Sequence, residues 1–263
     1  MKFLIPACVI TFCGLAHPSS AQGPSADVLY VTGQADFIQS ARGGGGGVTW
    51  LHTTPSQTGL DLGVSSASVA DASWTYGRLG GFTRRRTAIL SGALDVGGGR
   101  QGSARFDYQR YRGEIVVPVQ SNRVLVGGEA QYLRLASEAQ RVLRAGTVIQ
   151  LSPRAAVRAD YYSISSTGGT SAAVFGGTDL KVGRVGVLAG LLMAPGHRAT
   201  SPLLEPGAVP QASREWMVGW RLPVGSYEVT WTVDVRQQAG VRTSRMLVGL
   251  RIPLSAQTSG RGL

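Results

Sequence analysis

The chain has 263 residues, of which 26 are basic and 15 acidic, and its formal net charge is +11. Its two cysteines, Cys8 and Cys13, both lie close to the N-terminus. Because no cysteine follows them, disulfides are excluded for the rest of the chain, which must be stabilised by packing or by a closed hydrogen-bond network. The positive charge would ordinarily suggest an anionic partner, but arginines that merely occupy turns and strand ends are the preferred explanation.

Residues 1–21 are typical of a secretory signal peptide. Lys2 precedes an apolar run over residues 3–16, and Ser19 and Ala21 are small residues placed for cleavage after Ala21. The run is shorter than the ~20 residues that a membrane-spanning helix needs, and no later apolar stretch reaches that length. An exported chain is not expected to bind nucleic acid, so lipid phosphate groups are the better match for its arginines.

Alternation of apolar and polar residues recurs along the remaining chain. In residues 226–238, Trp231 and Val233 fall on the apolar parity, whereas Asp234 and Arg236 fall on the other. Successive side chains of a strand point to opposite sides, so this segment has one apolar wall and one charged wall. Similar runs, each with charge on the polar wall, are residues 122–134, 154–165, 212–223 and 241–254.

Turn sequences separate these runs and predict about 12 to 14 antiparallel strands. The longest connection is residues 195–211, whereas the connections at 152–153, 183–184 and 223–226 are tight. If the C-terminus faces the periplasm, alternation along the chain places the long connection outside the cell and the tight ones inside. Long outer loops and short inner turns are typical of bacterial membrane barrels.

Two local patterns predict irregularities. The run Gly43–Gly47 lacks the features of a phosphate-binding loop and is expected to be a flexible connection. The apolar parity includes Phe106 and Tyr108 but changes after Gly113, and an extra residue in a strand would reverse the facing. We therefore expect a β-bulge near Gly113.

The segment GLRIPL, residues 249–254, has a glycine followed at fixed spacing by two hydrophobic residues of one parity. It resembles the C-terminal assembly signal of small bacterial outer-membrane β-barrel proteins, and Gly249, Ile252 and Leu254 are the matching positions. The signal peptide and the alternating runs extend the resemblance to nearly the whole exported chain.

The resemblance implies a fold, a location and partners. The fold is all-β: a closed antiparallel transmembrane β-barrel of about 12 to 14 strands over residues 22–254, followed by a C-terminal tail over residues 255–263. The location is the bacterial outer membrane, where the chain is expected to be a monomer. The implied partners are outer-membrane lipid and lipopolysaccharide, the periplasmic chaperones and the barrel-assembly machinery.

In a barrel, the polar parity of each strand would line the lumen. Interleaved basic and acidic residues would produce either a lumen closed by cross-strand ion pairs or a weakly selective channel. The expected function is therefore a small passive pore or a structural, surface-interaction barrel. The predicted lumen-facing residues are Arg105, Asp107, Arg123, Glu129, Arg158, Asp160, Glu215, Arg221, Glu228, Asp234, Arg236, Arg245 and Arg251.

Two other functions stay open at this point. An outer-membrane lipid-modifying enzyme would act at the outer rim, where His197 and Glu205 lie in the long connection; His52 falls at the opposite end. A soluble exported β-sandwich would bury the apolar walls, including Trp216 and Trp220, instead of facing them to lipid. No catalytic residue, cofactor or metal site is predicted, because paired histidines and calcium-loop sequences do not occur.

Overall fold

The computed structural model describes residues 25–38, 41–69, 72–120, 123–135, 138–166, 169–194, 213–238 and 241–254. The predicted signal peptide and C-terminal tail lie outside these ranges. None of the described residues forms a helix long and apolar enough to cross a membrane. The strands are β1 (Ala26–Ile38), β2 (Ala41–Thr53), β3 (Thr58–Val69), β4 (Ala72–Arg84), β5 (Ile89–Gln101), β6 (Ala104–Val119), β7 (Val124–Leu135), β8 (Glu138–Ser152), β9 (Ala155–Ser166), β10 (Gly169–Val182), β11 (Val185–Ala194), β12 (Ser213–Val224), β13 (Tyr227–Gln238) and β14 (Val241–Pro253).

The 14 strands form one closed barrel. Each strand pairs antiparallel with its neighbours in the chain, and β1 closes the sheet by pairing with β14 from Val28 opposite Pro253 to Ile38 opposite Thr243. The predicted all-β, closed antiparallel fold is confirmed, with the higher of the two expected strand numbers. A two-sheet sandwich is ruled out, because the sheet has no free edge.

The start of β1 and the end of β14 lie at the same end of the barrel, which we call the terminal end. The tight turns at 153–154, 183–184 and 225–226 belong to this end as well. The connection between Ala194 and Ser213 belongs to the opposite end, which we call the far end. These four connections therefore lie at the ends predicted from the sequence, although the other connections at the far end are also short.

Each strand has an outward wall, facing away from the barrel, and an inward wall, facing the lumen. Trp216, Trp220 and Trp231 lie on the outward wall and are 53%, 39% and 42% exposed, and the rings of the last two stack at 4.8 Å. Within the described strands, charged side chains on the outward wall occur only near strand ends. An exposed apolar band bounded by polar rims is suited to contact with lipid.

The glycine run Gly43–Gly47 is not a flexible connection, and that prediction is wrong. It forms the middle of β2 and pairs with β1 and β3 throughout. A Cβ atom at Gly45 would lie 2.8 Å from the Cβ atom of Ala67 and 2.5 Å from the carbonyl oxygen of Ser66. The absence of side chains thus permits a close approach of β2 and β3.

The predicted bulge near Gly113 does not occur either. The pairing of β5 with β6 runs without interruption from Ile89 opposite Val116 to Gln101 opposite Ala104. The apparent change of parity has another cause: at the far end of β6 the outward residues lie beyond the apolar band and are polar. A register shift does occur in β8, between Gln150 and Ser152.

Two arginine substitutions on β13 test the assignment of the walls. Val233 faces outward and the adjacent Thr232 faces inward. We expect Val233→Arg to lower the folded yield, because an arginine on the lipid face near the middle of the membrane costs ~2–4 kcal/mol. The control variant Thr232→Arg should fold as well as the wild type. Folded yield is measured by the heat-modifiable gel shift after refolding into lipid vesicles, and equal yields for the two variants would contradict the assignment.

Candidate functional site

The inward wall of the barrel differs between its two halves. Toward the terminal end, inward side chains are accessible: those of Asp179 and Arg221 are 45% and 38% exposed. Toward the far end they are buried, and Ile164 and Leu192 are only 1% and 2% exposed. The lumen is therefore wide enough for solvent at one end and closely packed at the other.

An apolar cluster fills the far half beside strands β8 to β12. The ring of Phe175 lies over Gly177 and Gly190, whose missing Cβ atoms leave room for it, and the guanidinium of Arg158 lies 5.8 Å from its centroid. The cluster consists of Val142, Tyr162, Ile164, Ala173, Phe175, Leu192, Ala194 and Met217. A smaller group, Tyr108 and Leu133 with Tyr76 and Phe106, lies beside β4 to β7.

A first ion-pair network crosses four neighbouring strands, β3 to β6. Arg78 Nε donates to Asp61 at 2.6 Å, and the other end of the same guanidinium lies 3.9 Å from Asp95. Asp95 is 1% exposed and accepts a hydrogen bond of 2.5 Å from Arg110 Nε. Alternating charges thus connect strands that are already hydrogen-bonded through their backbones.

A second network joins β6 to β9 around Arg144. Glu114 and Glu129 lie directly opposite each other on β6 and β7, an arrangement that is unfavourable for like charges. Arg144 is positioned between them, 2.5 Å from Glu114 and 3.1 Å from Glu129. Its Nε also lies 3.9 Å from Asp160, which accepts a bond of 2.5 Å from Arg158. A single guanidinium therefore compensates two opposed carboxylates.

A third network lies where the barrel closes, on β1 and β12 to β14. Arg245 Nε donates to Asp36 across the β1–β14 junction at 2.7 Å, and Gln34 donates to the same carboxylate at 2.5 Å. Asp234 is opposite Arg245, and Arg236 is opposite Glu215. All the charged residues of this network are buried, and Asp36 is 0% exposed. Charge pairing thus reinforces the closing pair of strands.

An ion pair between Arg221 on β12 and Asp179 on β10 lies in the terminal half of the lumen. The two side chains meet at 2.9 Å across the small residue Gly186 of β11. Both are more exposed than the charged residues of the other networks. Solvent in the terminal half of the lumen can therefore reach this pair.

Most of the predicted lumen-facing residues lie on the inward wall. They are Glu129, Arg158, Asp160, Glu215, Arg221, Glu228, Asp234, Arg236, Arg245 and Arg251.

Three of the predicted lumen-facing residues lie elsewhere, and their assignment is wrong. Arg105 and Asp107 are exposed on the outward wall at the far end of β6, where Phe106 and Tyr108 take the inward positions. Arg123 lies in the tight turn between β6 and β7, where its amide donates to the carbonyl of Gln120. All three residues lie near strand ends, where polar residues that face outward or belong to a turn produce the same sequence pattern as polar residues that line the lumen.

Several inward residues of the networks were not predicted. Arg78, Glu114 and Arg144 lie on segments whose alternation is weak, because small or apolar residues occupy both parities around them. The signal that could have identified them is the pairing itself: a buried arginine between two carboxylates. That signal depends on the register between strands, which the sequence of one strand does not contain. The other unpredicted charged members of the networks are Asp36, Asp61 and Arg110.

The histidine described by the structure lies outside the lumen. His52 is on the outward wall at the terminal end, where its Nδ1 is 3.0 Å from Asp27, and the same carboxylate accepts a bond of 3.1 Å from Trp50. His197 and Glu205 lie outside the described residues. Within the described ranges, no group of histidine, cysteine and carboxylate side chains could hold a metal ion.

The predicted assembly-signal residues lie on the closing strand. Gly249 is opposite Thr32 of β1 and faces inward, whereas Ile252 faces outward opposite Leu29. Leu254 follows the strand, is 54% exposed, and donates its amide to the carbonyl of Asp27 at 2.8 Å.

Comparison with solved structures identifies similar barrels. The monoaromatic hydrocarbon channel CymD aligns with a TM-score of 0.60 at 10% identity, covering 88% of each chain. The outer membrane protein Omp33 of Acinetobacter baumannii aligns at 0.55 and 11%, covering 86% of this chain and 99% of that one. The toluene transporter TodX of Pseudomonas putida aligns at 0.53 and 9%, covering 88% of each chain.

The chain has the fold of a bacterial outer-membrane β-barrel. The resemblance inferred from the sequence is thus confirmed at the level of architecture. No family model matches the chain, and a search of curated proteins finds no match. At these low identities, the similarity to solved structures establishes the fold alone.

Removal of the guanidinium between the two opposed glutamates tests the second network. We expect Arg144→Gln to lower the free energy of unfolding by about 1–3 kcal/mol, because Glu114 and Glu129 would lose their shared charged partner. Adding Glu114→Gln to this variant should restore part of the loss. Stability is measured by urea unfolding in lipid vesicles, followed by tryptophan fluorescence.

Arg112→Gln is the matched control for this prediction. Arg112 lies on the same inward wall but forms no ion pair with a carboxylate that the structure describes. If Arg112→Gln and Arg144→Gln destabilised the barrel equally, the position of Arg144 between two carboxylates would not explain its contribution.

Proposed function

We propose that this chain is an outer-membrane barrel that forms a narrow, passive pathway for small solutes. The observation that carries the proposal is the gradient along the inward wall. A charged lining that water can reach, including Asp179 and Arg221, leads from the terminal end toward a packed far half. Such a lining admits polar solutes, and the packed half limits their size.

The pairing of charges determines what selectivity this pathway has. Opposite charges alternate from strand to strand, so the fields of neighbouring groups largely cancel within the lumen. The similar fold of CymD, Omp33 and TodX supports the outer-membrane location and a role in passage across that membrane. A small conductance with little preference for cations or anions is therefore expected.

Single-channel conductance in a planar bilayer tests the proposal. The wild-type barrel should conduct in small, steady steps, and Arg221→Gln should raise the ratio of cation to anion permeability by roughly twofold to fivefold, because a lone unit charge at about 4 Å contributes roughly 1 kcal/mol in water. Arg184→Gln, in an exposed turn at the terminal end, is the control and should leave the ratio unchanged. Barrels that are folded by the heat-modifiable gel shift but silent would contradict a pore and leave a structural barrel.

A second candidate function is passage of small aromatic solutes, and the apolar cluster favours it. Phe175, Tyr162 and Met217 face inward along the part of the lumen that any solute must cross to reach the far end. CymD is described as a monoaromatic hydrocarbon channel and TodX as a toluene transporter. An aromatic ring can stack on Phe175, whereas a hydrated ion gains nothing there.

Liposome swelling distinguishes the two candidates. Vesicles containing the barrel should admit a phenyl glycoside faster than the corresponding methyl glycoside, and Phe175→Asn should reduce this advantage by roughly fivefold, which corresponds to ~1 kcal/mol for one aromatic contact. Phe82→Asn, which changes an inward phenylalanine near the terminal end, serves as the control. If the two glycosides entered at the same relative rate in all three proteins, the aromatic pathway would be rejected.

No catalytic activity is proposed for the chain. Its route of assembly is proposed to be that of other outer-membrane barrels. His52 is engaged by Asp27 beside Trp50 on the outward wall, an arrangement that suits the rim of a membrane protein. The barrel is proposed to act as a monomer, inserted by the barrel-assembly machinery after delivery by periplasmic chaperones. Gly249, Ile252 and Leu254 would be the residues that the machinery reads.

A further inference from the structure

Arginines surround the far end of the outward wall. Each lies near the far end of its strand, each points outward, and each is exposed. We call these residues the arginine girdle. The girdle consists of Arg42, Arg100, Arg105, Arg134, Arg141, Arg214 and Arg242. Within the described strands, Asp107 is the acidic residue that shares this part of the outward wall, so the girdle carries a strong excess of positive charge.

The girdle lies at the depth where lipid headgroups are expected. Tyr132 precedes Arg134 on the outward wall of β7, and Trp216 follows Arg214 on that of β12, in each case one outward position closer to the middle of the barrel. Outward aromatic residues mark the boundary between hydrocarbon and water. With the C-terminus facing the periplasm, as expected for this class of barrel, the far end faces the cell exterior, so the girdle lies among the headgroups of the outer leaflet.

Within the girdle, Arg100 and Arg105 form a pair of like charges. They lie directly opposite each other on β5 and β6, so their Cβ atoms are ~4.5–5.5 Å apart. Neither forms an ion pair with a carboxylate in the part of the chain that the structure describes, and Asp107 is opposite Gly98 instead. An anion held between the two guanidiniums would remove their repulsion, and phosphate fits the guanidinium fork in a bidentate manner.

A groove next to Arg100 extends this site across the outward wall. It has a volume of about 590 Å³ and is lined mostly by small outward-facing residues of β2 to β5. Ser66 and Ser68 on β3 and Ser73 and Thr75 on β4 supply hydroxyl groups, and glycines form much of the remaining lining. Hydroxyl and backbone groups beside a positive charge are suited to a sugar that carries a phosphate rather than to an acyl chain.

We propose that Arg100, Arg105 and the adjoining groove bind the phosphorylated sugar headgroup of lipopolysaccharide in the outer leaflet. The phosphate lies between the two guanidiniums, and the sugar that carries it occupies the groove. The inference rests on the proposed outer-membrane location, with the C-terminus facing the periplasm, and does not depend on conduction through the lumen.

Titration with lipid A tests the site. The full-length barrel, extracted from membranes into a nonionic detergent, is titrated with bisphosphorylated lipid A, and the bound lipid is counted by native mass spectrometry. We expect the double variant Arg100→Gln, Arg105→Gln to bind about tenfold more weakly or worse, as expected when charged hydrogen bonds are lost. The control variant Arg154→Gln, Arg184→Gln removes the same charge from turns at the terminal end and should bind like the wild type.

Three further probes identify the ligand. Lipid A without phosphate should bind the wild-type barrel no more tightly than phosphorylated lipid A binds the double variant. Phosphatidylglycerol and millimolar inorganic phosphate should not displace the bound lipid A. The proposal is overturned if the double variant binds normally, if the control variant loses as much affinity, or if either competitor displaces lipid A.

The heat-modifiable gel shift confirms that each variant is folded before titration. The conductance of the double variant should equal that of the wild type, since both arginines face away from the lumen. A wild-type barrel that binds lipid A but does not conduct would therefore contradict the pore alone. A conducting barrel whose affinity for lipid A is unchanged by the double substitution would contradict the lipid site alone.

Discussion

A hydrocarbon environment offers no hydrogen-bond partner to the polypeptide backbone, and this constraint governs the rest of the molecule. A sheet meets it only by closing on itself, which β1 and β14 achieve along nearly their whole length. In the closed barrel, each side chain of a strand faces either the lipid or the lumen. The apolar half of every alternating segment must then face outward, and charge in the middle of a strand has no place except inside.

Charge sent inward must in turn be compensated, and the barrel does this between neighbouring strands. Arg78 is placed between Asp61 and Asp95, Arg144 lies between Glu114 and Glu129, and Arg245 bonds to Asp36 across the closing seam. Most of these pairs add a side-chain link between two strands that the backbone has already joined, and the pair of Arg144 with Glu114 reaches across β7. Electrostatics and hydrogen bonding therefore favour the same register, so that a one-residue slip would disrupt both.

The fold could be predicted from sequence because strict alternation in β12 to β14 leaves little choice of facing. Trp216, Trp220 and Trp231 lie on the outward wall, and the charged residues away from the strand ends lie on the inward wall. The errors occur at the rim of the barrel: Arg105 and Asp107 face outward near the strand end, while Phe106 and Tyr108 pack inside. The sequence alone does not distinguish a polar residue that faces outward at the rim from a polar residue that faces the lumen within the membrane. The partners of Arg144 are set by register, which pattern within a single strand does not reveal.

The glycines of the inward wall have a consequence for the width of the lumen. Phe175 lies over Gly177 and Gly190, Phe82 over Gly59, and Asp160 against Gly146. At these positions a side chain lies along the barrel wall, over a glycine of its own or the adjacent strand, instead of projecting toward the axis. The width of the lumen therefore depends on the glycines beneath these side chains as much as on the side chains themselves. A single methyl group added at one of these glycines would tilt a ring or a carboxylate inward, so evolution can adjust the calibre of this barrel without altering its charges.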